Sequence, residues 1–406
     1  MRIAHVGPLL TRTGGPAGYL LELSRQAEES SAESRHLIRF PEASSGAPRK
    51  LTSSPMLGYL RRWKRVVLGP PRFSRPSREE MNKKGGVIND LLTRAARASV
   101  ELCRPSFDSP ADVYFVHDVF AVEAAKAKSS SAEVWLMIHS PMPMGLYLAW
   151  NWGHPEWPWE EIAALPDVRR WIEKELETWR LVDRVVLPCP EALEELVRVD
   201  PRFADASATI EYLLTGSSVV SPGSSKGSHS RELLGLFLGS DQAYRGLDML
   251  FQALAFLPDQ RELPGQIALA GPDPDSTPSH PRVRKLGRVE NVPALLASVD
   301  FLVNTNRFSL FDLSNIEAAA AGKPLLLHAV GGNKALSRLG AGCRLFEPLT
   351  AEALAKGLVE MFSMGRDVLA AQGARSKECY ERHLTAKAMW LRHLELYDKA
   401  ESRIAV

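Results

Sequence analysis

Short apolar runs alternate with helical stretches along almost the whole chain, and this alternation restricts the fold more than any other feature. The runs are rich in β-branched residues and bounded by polar or turn residues, as buried parallel strands are, whereas the intervening stretches repeat leucine at helical spacing. Alternating strands and helices predict an α/β protein with two doubly wound, Rossmann-like domains. The predicted strands include residues 2–7, 112–118, 133–140, 183–189, 233–240, 266–271, 300–306 and 324–330.

The domain organisation follows from length and from one change of composition. A chain of 406 residues is too long for one compact core, and a Ser- and Gly-rich stretch interrupts the alternation. We therefore predict an N-terminal domain over 1–215 with a basic insertion at about 45–105, and a linker over 216–231. A C-terminal domain is predicted over 232–380, and a single helix over 381–406 is expected to pack back toward the N-terminal domain. In such folds ligands bind beyond the carboxyl ends of the strands, so a ligand is expected in a central cleft that the two domains face.

Charge, cysteine content and hydropathy exclude several classes of function. The net charge is only +2, so no nucleic-acid partner is expected. The four cysteines are far apart and form no C-x-x-C pair, which fits a reducing compartment without a zinc site. The sequence shows no signal peptide and no apolar run of about 18 residues, which predicts a cytoplasmic protein. The PDPD stretch at 272–275 is interpreted as a Pro-rich turn, and no metal or cofactor is expected.

The order of motifs in the second half carries a family resemblance. The segments GLFLGSDQAYRGLDMLFQAL, IALAGPDP, VRKLGRV, LLASVDFLVNTN and FDLSNIEAAAAGKPLLLHAVGGNKAL follow one another as in the GT-B glycosyltransferases of family 4, the glycosyl transferases group 1. The first half, outside about 45–105, resembles the first domain of that family. The resemblance implies a retaining, metal-independent transferase whose nucleotide-sugar donor, UDP- or GDP-linked, is held by the C-terminal domain. It also implies a glycan, lipid-linked or small-molecule acceptor.

The stretch SLFDLSNIEAAAAGKP at 309–324 contains the most specific candidate, Glu317. One interpretation is a capping box, because Ser314 and Glu317 have the S-x-x-E spacing. The family resemblance implies instead that Glu317 binds the donor ribose while the helix start faces the diphosphate, since a helix N-terminus offers free N–H donors and positive potential. The donor-binding candidates are Gly14, Gly15, Gly239, Ser240, Arg245, Ser309, Asp312, Ser314, Asn315 and Glu317.

Two positions in this stretch depart from the family pattern. The family has E-x7-E, but Ser309 stands where its first glutamate is expected, which puts the sugar contacts in question. Asp312 replaces a glycine that is frequent in the family. Its carboxylate either caps the helix, which we favour, or bonds a sugar hydroxyl.

The LGSDQAYRGLD stretch departs at one phosphate position and keeps the other. Relatives have an arginine directly after the first glycine, where this chain has Ser240, and a lysine before the second glycine, where it has Arg245. Arg245 can bond phosphate oxygens with two N–H groups; the alternative is an exposed surface arginine. Lys323 and Lys334 are candidate substitutes for the missing cation.

Two further candidates lie in the first half. Gly14 and Gly15 follow the first strand and would let backbone N–H groups approach a phosphate or sugar; a plain turn is the alternative. His139 ends the strand EVWLMIHS, and in relatives a histidine here lies near the transferred sugar, so His139 and Arg245 are the catalytic candidates. His117 is a second candidate of the same kind, and a satisfied loop histidine is the alternative for both.

Two segments suggest an acceptor surface. A basic stretch around MLGYLRRWKRVVLG combines charge with aromatic and aliphatic residues, a composition able to make peripheral contact with an anionic membrane; a disordered or solvated insertion is the alternative. Tryptophans in AWNWGHPEWPWEE are able to stack on sugar rings or to pack in the core. The acceptor or membrane candidates are Trp150, Trp152, Trp157, Arg61, Arg62, Lys64 and Arg65.

Three functions therefore remain open on sequence grounds. The leading one is sugar transfer from a nucleotide diphosphate sugar. Ser240 and Ser309 motivate a second, a degenerate GT-B protein that binds nucleotide sugar or a partner without turnover. The third is a GT-B epimerase acting on the nucleotide sugar itself.

Overall fold

The chain divides into two compact units. The first unit comprises Met1–Pro188, Leu196–Leu213 and Met389–Val406, and the second comprises Cys189–Glu195 and Leu214–Ala388. A computed structural model of the protein describes residues 1–7, 15–30, 36–41, 77–108, 110–152, 156–207, 209–219 and 232–404.

The first unit is built on a parallel sheet that the described residues form with six strands, in the order β2-β1-β3-β4-β5-β6. Every neighbouring pair is parallel. The central strands are buried along their length, as the continuous apolar runs predict, whereas β2 and β6 are short and partly exposed. The strands are β1 (Arg2–Val6), β2 (Leu37–Arg39), β3 (Val113–Val116), β4 (Glu133–Met137), β5 (Arg184–Leu187) and β6 (Ile210–Tyr212).

Helices connect and cover these strands. Their core joins apolar residues of β1, β3 and β4 to Met389, Trp390 and Tyr397 near the C-terminus. The last helix of the chain thus completes the core of the first unit. The helices of the chain up to residue 199 are α1 (Pro16–Glu29), α2 (Arg78–Asn82), α3 (Val87–Cys103), α4 (Val122–Lys128), α5 (Met144–Trp152), α6 (Trp159–Ala163), α7 (Pro166–Leu181) and α8 (Pro190–Val199), the last of which has its first six residues in the second unit.

The second unit has its own parallel sheet of six strands among the described residues, in the order β12-β11-β10-β7-β8-β9. Its core packs Phe237, Ile267 and Phe301 against Leu358 and Phe362. The α/β, doubly wound prediction is confirmed for both units. The strands are β7 (Leu233–Leu238), β8 (Gly265–Ala270), β9 (Val283–Gly287), β10 (Phe301–Asn304), β11 (Leu325–His328) and β12 (Cys343–Phe346); the helices are α9 (Leu247–Leu254), α10 (Val292–Ser298), α11 (Leu313–Ala320), α12 (Gly331–Arg338), α13 (Ala351–Ser363) and α14 (Arg366–Cys379).

The C-terminal segment is interrupted, which corrects the single helix predicted over 381–406. After α14 the chain makes a π-helical turn over Tyr380–Leu384, and α15 begins only at Ala386 and ends at Ile404. Thr385 has an extended backbone, and its hydroxyl accepts from Ala388 N at 3.1 Å. Leu and Trp spacing carries the helical pattern through this point, but the Thr385 hydroxyl caps a new helix and ends the old one.

The predicted linker has a structured beginning. Ser217 pairs with Thr385 as an isolated bridge, and the Tyr380 hydroxyl donates to Ser217 O at 2.9 Å. Residues 220–231 of the linker lie outside the described residues. Among the helices of the described chain, none is long and apolar enough to span a bilayer.

Candidate functional site

Arg245, the residue of the second unit that is predicted to bind phosphate, lies at the carboxyl ends of β7 and β10. Gly239 follows β7, and a short 3-10 turn over Ala243–Arg245 precedes α9. The Arg245 side chain lies over Gly239, where an added Cβ would be 3.2 Å from Arg245 Cδ. Because residue 239 is a glycine, the Arg245 side chain has room to lie above the carboxyl end of β7. Ligands bind at this edge in doubly wound folds.

Arg245 is held by Asp312 rather than exposed on the surface. Its Nη1 donates to Asp312 Oδ1 at 3.2 Å, and its guanidinium carbon lies 5.0 Å from the Tyr244 ring centroid. The side chain retains 21% exposure, against 9% for Asp312. The pair thus fixes a guanidinium at the sheet edge with part of its surface open to a ligand.

Asp312 is the centre of a polar network that the sequence interpretation missed. Besides Arg245, its carboxylate accepts from Asn306 Nδ2 at 2.9 Å, Ser309 Oγ at 2.7 Å and Asn304 Nδ2 at 3.4 Å. Asp312 occupies the N-cap position of α11 but makes no side-chain cap bond, which corrects the cap we favoured. The carboxylate instead accepts hydrogen bonds that orient Arg245 and the side-chain amides at the end of β10.

The network extends inward through buried asparagines. Asn304 Nδ2 donates to Asn315 Oδ1 at 3.1 Å, Asn315 Nδ2 to Asn333 Oδ1 at 2.8 Å, and Asn333 Nδ2 to His328 O at 2.9 Å. Asn315 is fully buried, so its side chain supports the site from below and does not face a donor. Asn304 is the last residue of β10 and Asn306 follows shortly after it, and polar residues at this strand end are the signal that would have identified them.

Ser309 lies inside this network. It is 1% exposed, and its hydroxyl lies 2.7 Å from Asp312 Oδ2 and 3.3 Å from Asn333 Oδ1. The serine hydroxyl thus points into the network and not toward solvent. Its side chain supports Asp312, so its predicted donor contact is replaced by an indirect role.

The start of α11 has no capping box, which corrects the structural alternative for Glu317. Ser314 is the second residue of the helix, and its buried hydroxyl has no hydrogen-bond partner among the described residues. The first bond of the helix runs from Asn315 N to Asp312 O. The N–H groups of Leu313 and Ser314 precede it and have no acceptor in the part of the chain that the structure describes. Such donors favour an anion at a helix N-terminus.

The first backbone N–H group of the neighbouring helix, α12, already has a carboxylate as its acceptor. Gly331 N donates to the buried Glu195 carboxylate at 3.0 Å. Lys334 on the same helix is paired with Glu194 at 2.8 Å, which raises the pKa of Lys334. Of these two helix starts, the one at α11 therefore offers backbone donors and the one at α12 does not.

Glu317 lies in the second turn of α11 and is partly buried. Burial raises the pKa of its carboxyl to about 7. Within the described chain its carboxylate has no hydrogen-bond or ion-pair partner. A carboxylate that loses hydration without gaining a partner costs free energy, and such groups are enriched where ligands bind.

The other predicted cation positions do not supplement Arg245. Ser240 donates to the side chain of Gln242 at 2.9 Å. Lys323 donates to Val299 O at 2.7 Å, just before β10 begins, and lines a cavity of about 110 Å³ with Asp300 and Arg366. Lys323 therefore lies at the amino-terminal edge of the sheet, opposite the edge that carries Arg245.

Gly246 fixes the backbone next to Arg245, and its replacement by alanine tests this geometry. Gly246 has φ +67°, and a Cβ there would lie 2.2 Å from Thr305 O, whereas Gly340 has φ +88° and no heavy atom within 4 Å. Gly340→Ala is expected to lower the free energy of unfolding by about 1–2 kcal/mol through backbone strain alone. Gly246→Ala is expected to cost a further ~1–3 kcal/mol because of the contact with Thr305. Urea unfolding of both variants measures the difference, and equal losses would contradict the close approach.

The first unit places His139 beside two other histidines. His139 Nε2 lies 2.8 Å from His117 Nδ1, and His117 Nε2 lies 2.9 Å from His5 Nδ1. Burial lowers the pKa of His139 to about 3, so this ring is neutral at physiological pH. It can exchange hydrogen bonds with a substrate, but it cannot supply a positive charge.

The predicted glycine loop is only partly described. Gly15 has φ +79° and is the N-cap of α1, with no heavy atom within 4 Å of an added Cβ. Open space beside a helix start is compatible with a ligand and equally with a plain turn. Gly14 lies outside the described residues.

The tryptophan and basic candidates separate into packed and undescribed residues. Trp150 is 2% exposed, and its indole N–H donates to Trp157 O at 3.0 Å, so its side chain belongs to the core. The Trp157 ring is covered by the Arg78 guanidinium, 4.9 Å from the ring centroid. Trp150 thus packs in the core, and its predicted contact with an acceptor is wrong. The side chain of Trp152 and the residues Arg61, Arg62, Lys64 and Arg65 lie outside the described part of the chain.

Comparison with known proteins finds one family model that matches part of the second unit. Residues 233–364 match the family model of glycosyl transferases group 1. No curated protein sequence matches the chain.

Solved structures are similar over nearly the whole length. A sucrose-phosphate synthase from Thermosynechococcus elongatus has a TM-score of 0.65 and 16% identity, covering 99% of this chain and 100% of its own. HepE from Anabaena in complex with UDP-glucose has a TM-score of 0.56 and 15% identity, covering 98% of this chain and 100% of its own. A glycosyltransferase from Rickettsia africae has a TM-score of 0.55 and 14% identity, covering 98% of each chain. The GT-B fold is confirmed, and the matched domain supports the prediction of a glycosyltransferase enzyme.

Proposed function

We propose that this protein is a retaining glycosyltransferase that uses a nucleoside diphosphate sugar without a metal ion. One observation carries the donor assignment: Glu317 is a partly buried carboxylate without a partner in the described chain, on the helix whose start has free N–H groups. A ribose provides two hydroxyl donors for such a carboxylate, and a diphosphate provides the anion for the helix start. Arg245 supplies the cation at the same edge of the sheet.

The proposed chemistry is a front-face substitution. The acceptor oxygen attacks the anomeric carbon on the face from which the nucleoside diphosphate departs, so the configuration is retained. The bond between the anomeric carbon and the phosphate oxygen breaks, and the acceptor hydroxyl proton passes to an oxygen of the departing phosphate. Arg245 and the α11 start stabilise the negative charge that develops on that diphosphate. His139 is proposed to hydrogen-bond a sugar hydroxyl.

UDP-glucose is the first donor to test, because HepE has been solved in complex with UDP-glucose. Isothermal titration with UDP-, GDP-, ADP- and TDP-sugars measures binding, and release of the nucleoside diphosphate measures turnover. Binding of at least one sugar nucleotide, with turnover when a suitable acceptor is present, supports the proposal. Absence of binding across all four nucleotides would refute it.

The buried position of Ser309 favours a second candidate, a protein that binds the donor without turnover. Ser309 has no carboxylate, and the nearby Asp312 carboxylate is already bound by Arg245 and three neutral donors. In the same titrations, tight binding without hydrolysis or transfer to any glycan, lipid or small-molecule acceptor would favour this candidate. Conversion of the bound sugar into its epimer would instead identify an epimerase.

We also propose that the protein is cytoplasmic and contacts the surface of an anionic membrane. A segment with Arg61, Arg62, Lys64 and Arg65 around Trp63 has the composition that binds anionic lipid surfaces. Replacing these four cations by glutamate is expected to abolish sedimentation with phosphatidylserine vesicles at low salt. Zwitterionic vesicles are the control, and unchanged sedimentation with the anionic vesicles would contradict the proposal.

A further inference from the structure

Three histidines and a tyrosine form a hydrogen-bonded chain across the first sheet. His5 lies on β1, His117 directly follows β3, and His139 follows β4. These strands are neighbours in the order β1-β3-β4, so the rings stand side by side toward the carboxyl edge. The contacts are 2.8 Å from His139 Nε2 to His117 Nδ1, 2.9 Å from His117 Nε2 to His5 Nδ1, and 3.0 Å from His5 Nε2 to the Tyr397 hydroxyl.

The surroundings keep every ring of this chain neutral. His5 is 1% exposed and lies between Phe40, stacked at 4.7 Å, and Phe115, at 5.2 Å. Burial lowers the pKa of His5 and of His117 well below the usual value. Each neutral imidazole carries one N–H donor and one acceptor nitrogen. All hydrogen bonds of the chain therefore run either from Tyr397 toward His139 or from His139 toward Tyr397.

Tyr397 selects between these two directions. Its hydroxyl is fully buried, and within the described chain its one hydrogen-bond partner is His5 Nε2. If His5 donated to the phenol oxygen, the phenol proton would be buried without an acceptor, which is costly. Tyr397 therefore donates to His5, His5 Nδ1–H donates to His117 Nε2, and His117 Nδ1–H donates to His139 Nε2.

The last ring then has its proton on the other nitrogen. His139 Nε2 accepts, so His139 Nδ1 carries the hydrogen, and Nδ1 has no partner among the described residues. We propose that Tyr397, His5 and His117 are positioning residues that hold His139 in its Nδ1–H tautomer, so that it donates a hydrogen bond to a substrate hydroxyl oxygen and cannot act as a base. The substrate part of this proposal rests on the proposed glycosyltransferase function.

A neighbouring pair in the same unit provides a matched control. His393 Nδ1 lies 2.9 Å from Met389 O, and since a carbonyl only accepts, Nδ1 is protonated. His393 Nε2 consequently accepts from the Tyr19 hydroxyl at 3.0 Å. Tyr19→Phe removes a buried tyrosine hydroxyl that is bonded to His393, a histidine that does not belong to the hydrogen-bonded chain His139–His117–His5–Tyr397. Tyr397→Phe removes the buried tyrosine hydroxyl that sets the direction of the hydrogen bonds in that chain.

Nitrogen NMR of histidine-labelled protein reads the tautomers directly and requires no substrate. We expect a single Nδ1–H form of His139 in the unmodified protein and in Tyr19→Phe, and a mixture of both tautomers in Tyr397→Phe. Resonances are assigned by single replacement of each histidine, and circular dichroism confirms that the variants fold. An Nε2–H form of His139 in the unmodified protein, or an unchanged form in Tyr397→Phe, would overturn the proposal.

The kinetic arm compares two replacements of His139 under the conditions in which transfer is detected. Asparagine can place an N–H near the position of Nδ1, whereas glutamine mimics Nε2. His139→Gln is expected to lose about 10²-fold in turnover number, as loss of one aligned donor does, and His139→Asn to retain more. The reverse order would overturn the proposed donor role. If no sugar nucleotide is turned over, the proposed function fails, whereas the tautomer measurement still decides the positioning chain.

Discussion

Replacing Arg245 by alanine is expected to lower the turnover number by about 10²–10³-fold, the usual loss when one aligned donor to a developing charge is removed. Arg245 places a guanidinium at the carboxyl end of β7, and Ser240, which directly follows Gly239, has no charge. Asp312 holds it there from 3.2 Å. Measurement of nucleoside diphosphate release with a saturating donor tests this expectation.

The control for this variant separates chemistry from stability. Arg245→Ala leaves Asp312 partly buried with neutral donors only, which is expected to cost about 1–3 kcal/mol of unfolding free energy. Adding Asp312→Asn should recover stability but not turnover. Arg344→Ala breaks another arginine–carboxylate pair of the same unit, with Glu360, on the edge strand β12, and should leave turnover unchanged. If Arg245→Ala were to turn over at the normal rate, Arg245 would not contact the diphosphate.

Glu317→Gln is expected to weaken donor binding by about 10–100-fold, because hydrogen bonds to a charged acceptor contribute roughly 1.5–3 kcal/mol. The replacement keeps the shape of the side chain and removes its charge. Titration calorimetry with the best donor at pH 8, where the carboxylate is ionised, measures the effect. Glu352→Gln, an exposed glutamate on α13, is the control and should bind normally.

The stability of the same variant has a pH dependence with a definite sign. Because the folded pKa of Glu317 is raised to about 7 from 4.5, the folded state binds more protons than the unfolded state between these values. The stability contribution of Glu317 therefore falls as pH rises from about 4.5 to 7 and stays low above it. Glu317→Gln removes this penalty, so it should be at least as stable as the unmodified protein at pH 8. A loss of stability at pH 8 comparable to the loss of binding would indicate a structural role.

The predictable part of the fold is the part with continuous apolar strands. Val113–Val116 and Phe301–Asn304 are buried on both faces, so their apolar runs follow directly from the parallel sheet. The edge strands Leu37–Arg39, Ile210–Tyr212 and Cys343–Phe346 have mixed burial, and nothing in their composition separates them from loops. The break at Thr385 was missed because helical spacing continues across it.

The predictable part of the site is the part that lies within one short segment. Glu317 and Arg245 are predicted from their local motifs, and local spacing also predicts a capping box that the structure does not form. The partners of Asp312 and His139 come from other strands, so no local pattern reveals them. His5, His117 and Tyr397 in particular meet only because β1, β3 and α15 pack together.

The central claim is that a nucleoside diphosphate sugar binds at the start of α11. A crystal structure with UDP-glucose, or with the nucleotide that binds best, tests it most directly. The expected result is a diphosphate within hydrogen-bond distance of Arg245 and of the Leu313 and Ser314 N–H groups, with both ribose hydroxyls on the Glu317 carboxylate. A nucleotide bound elsewhere, with Glu317 still without a partner, would contradict the account.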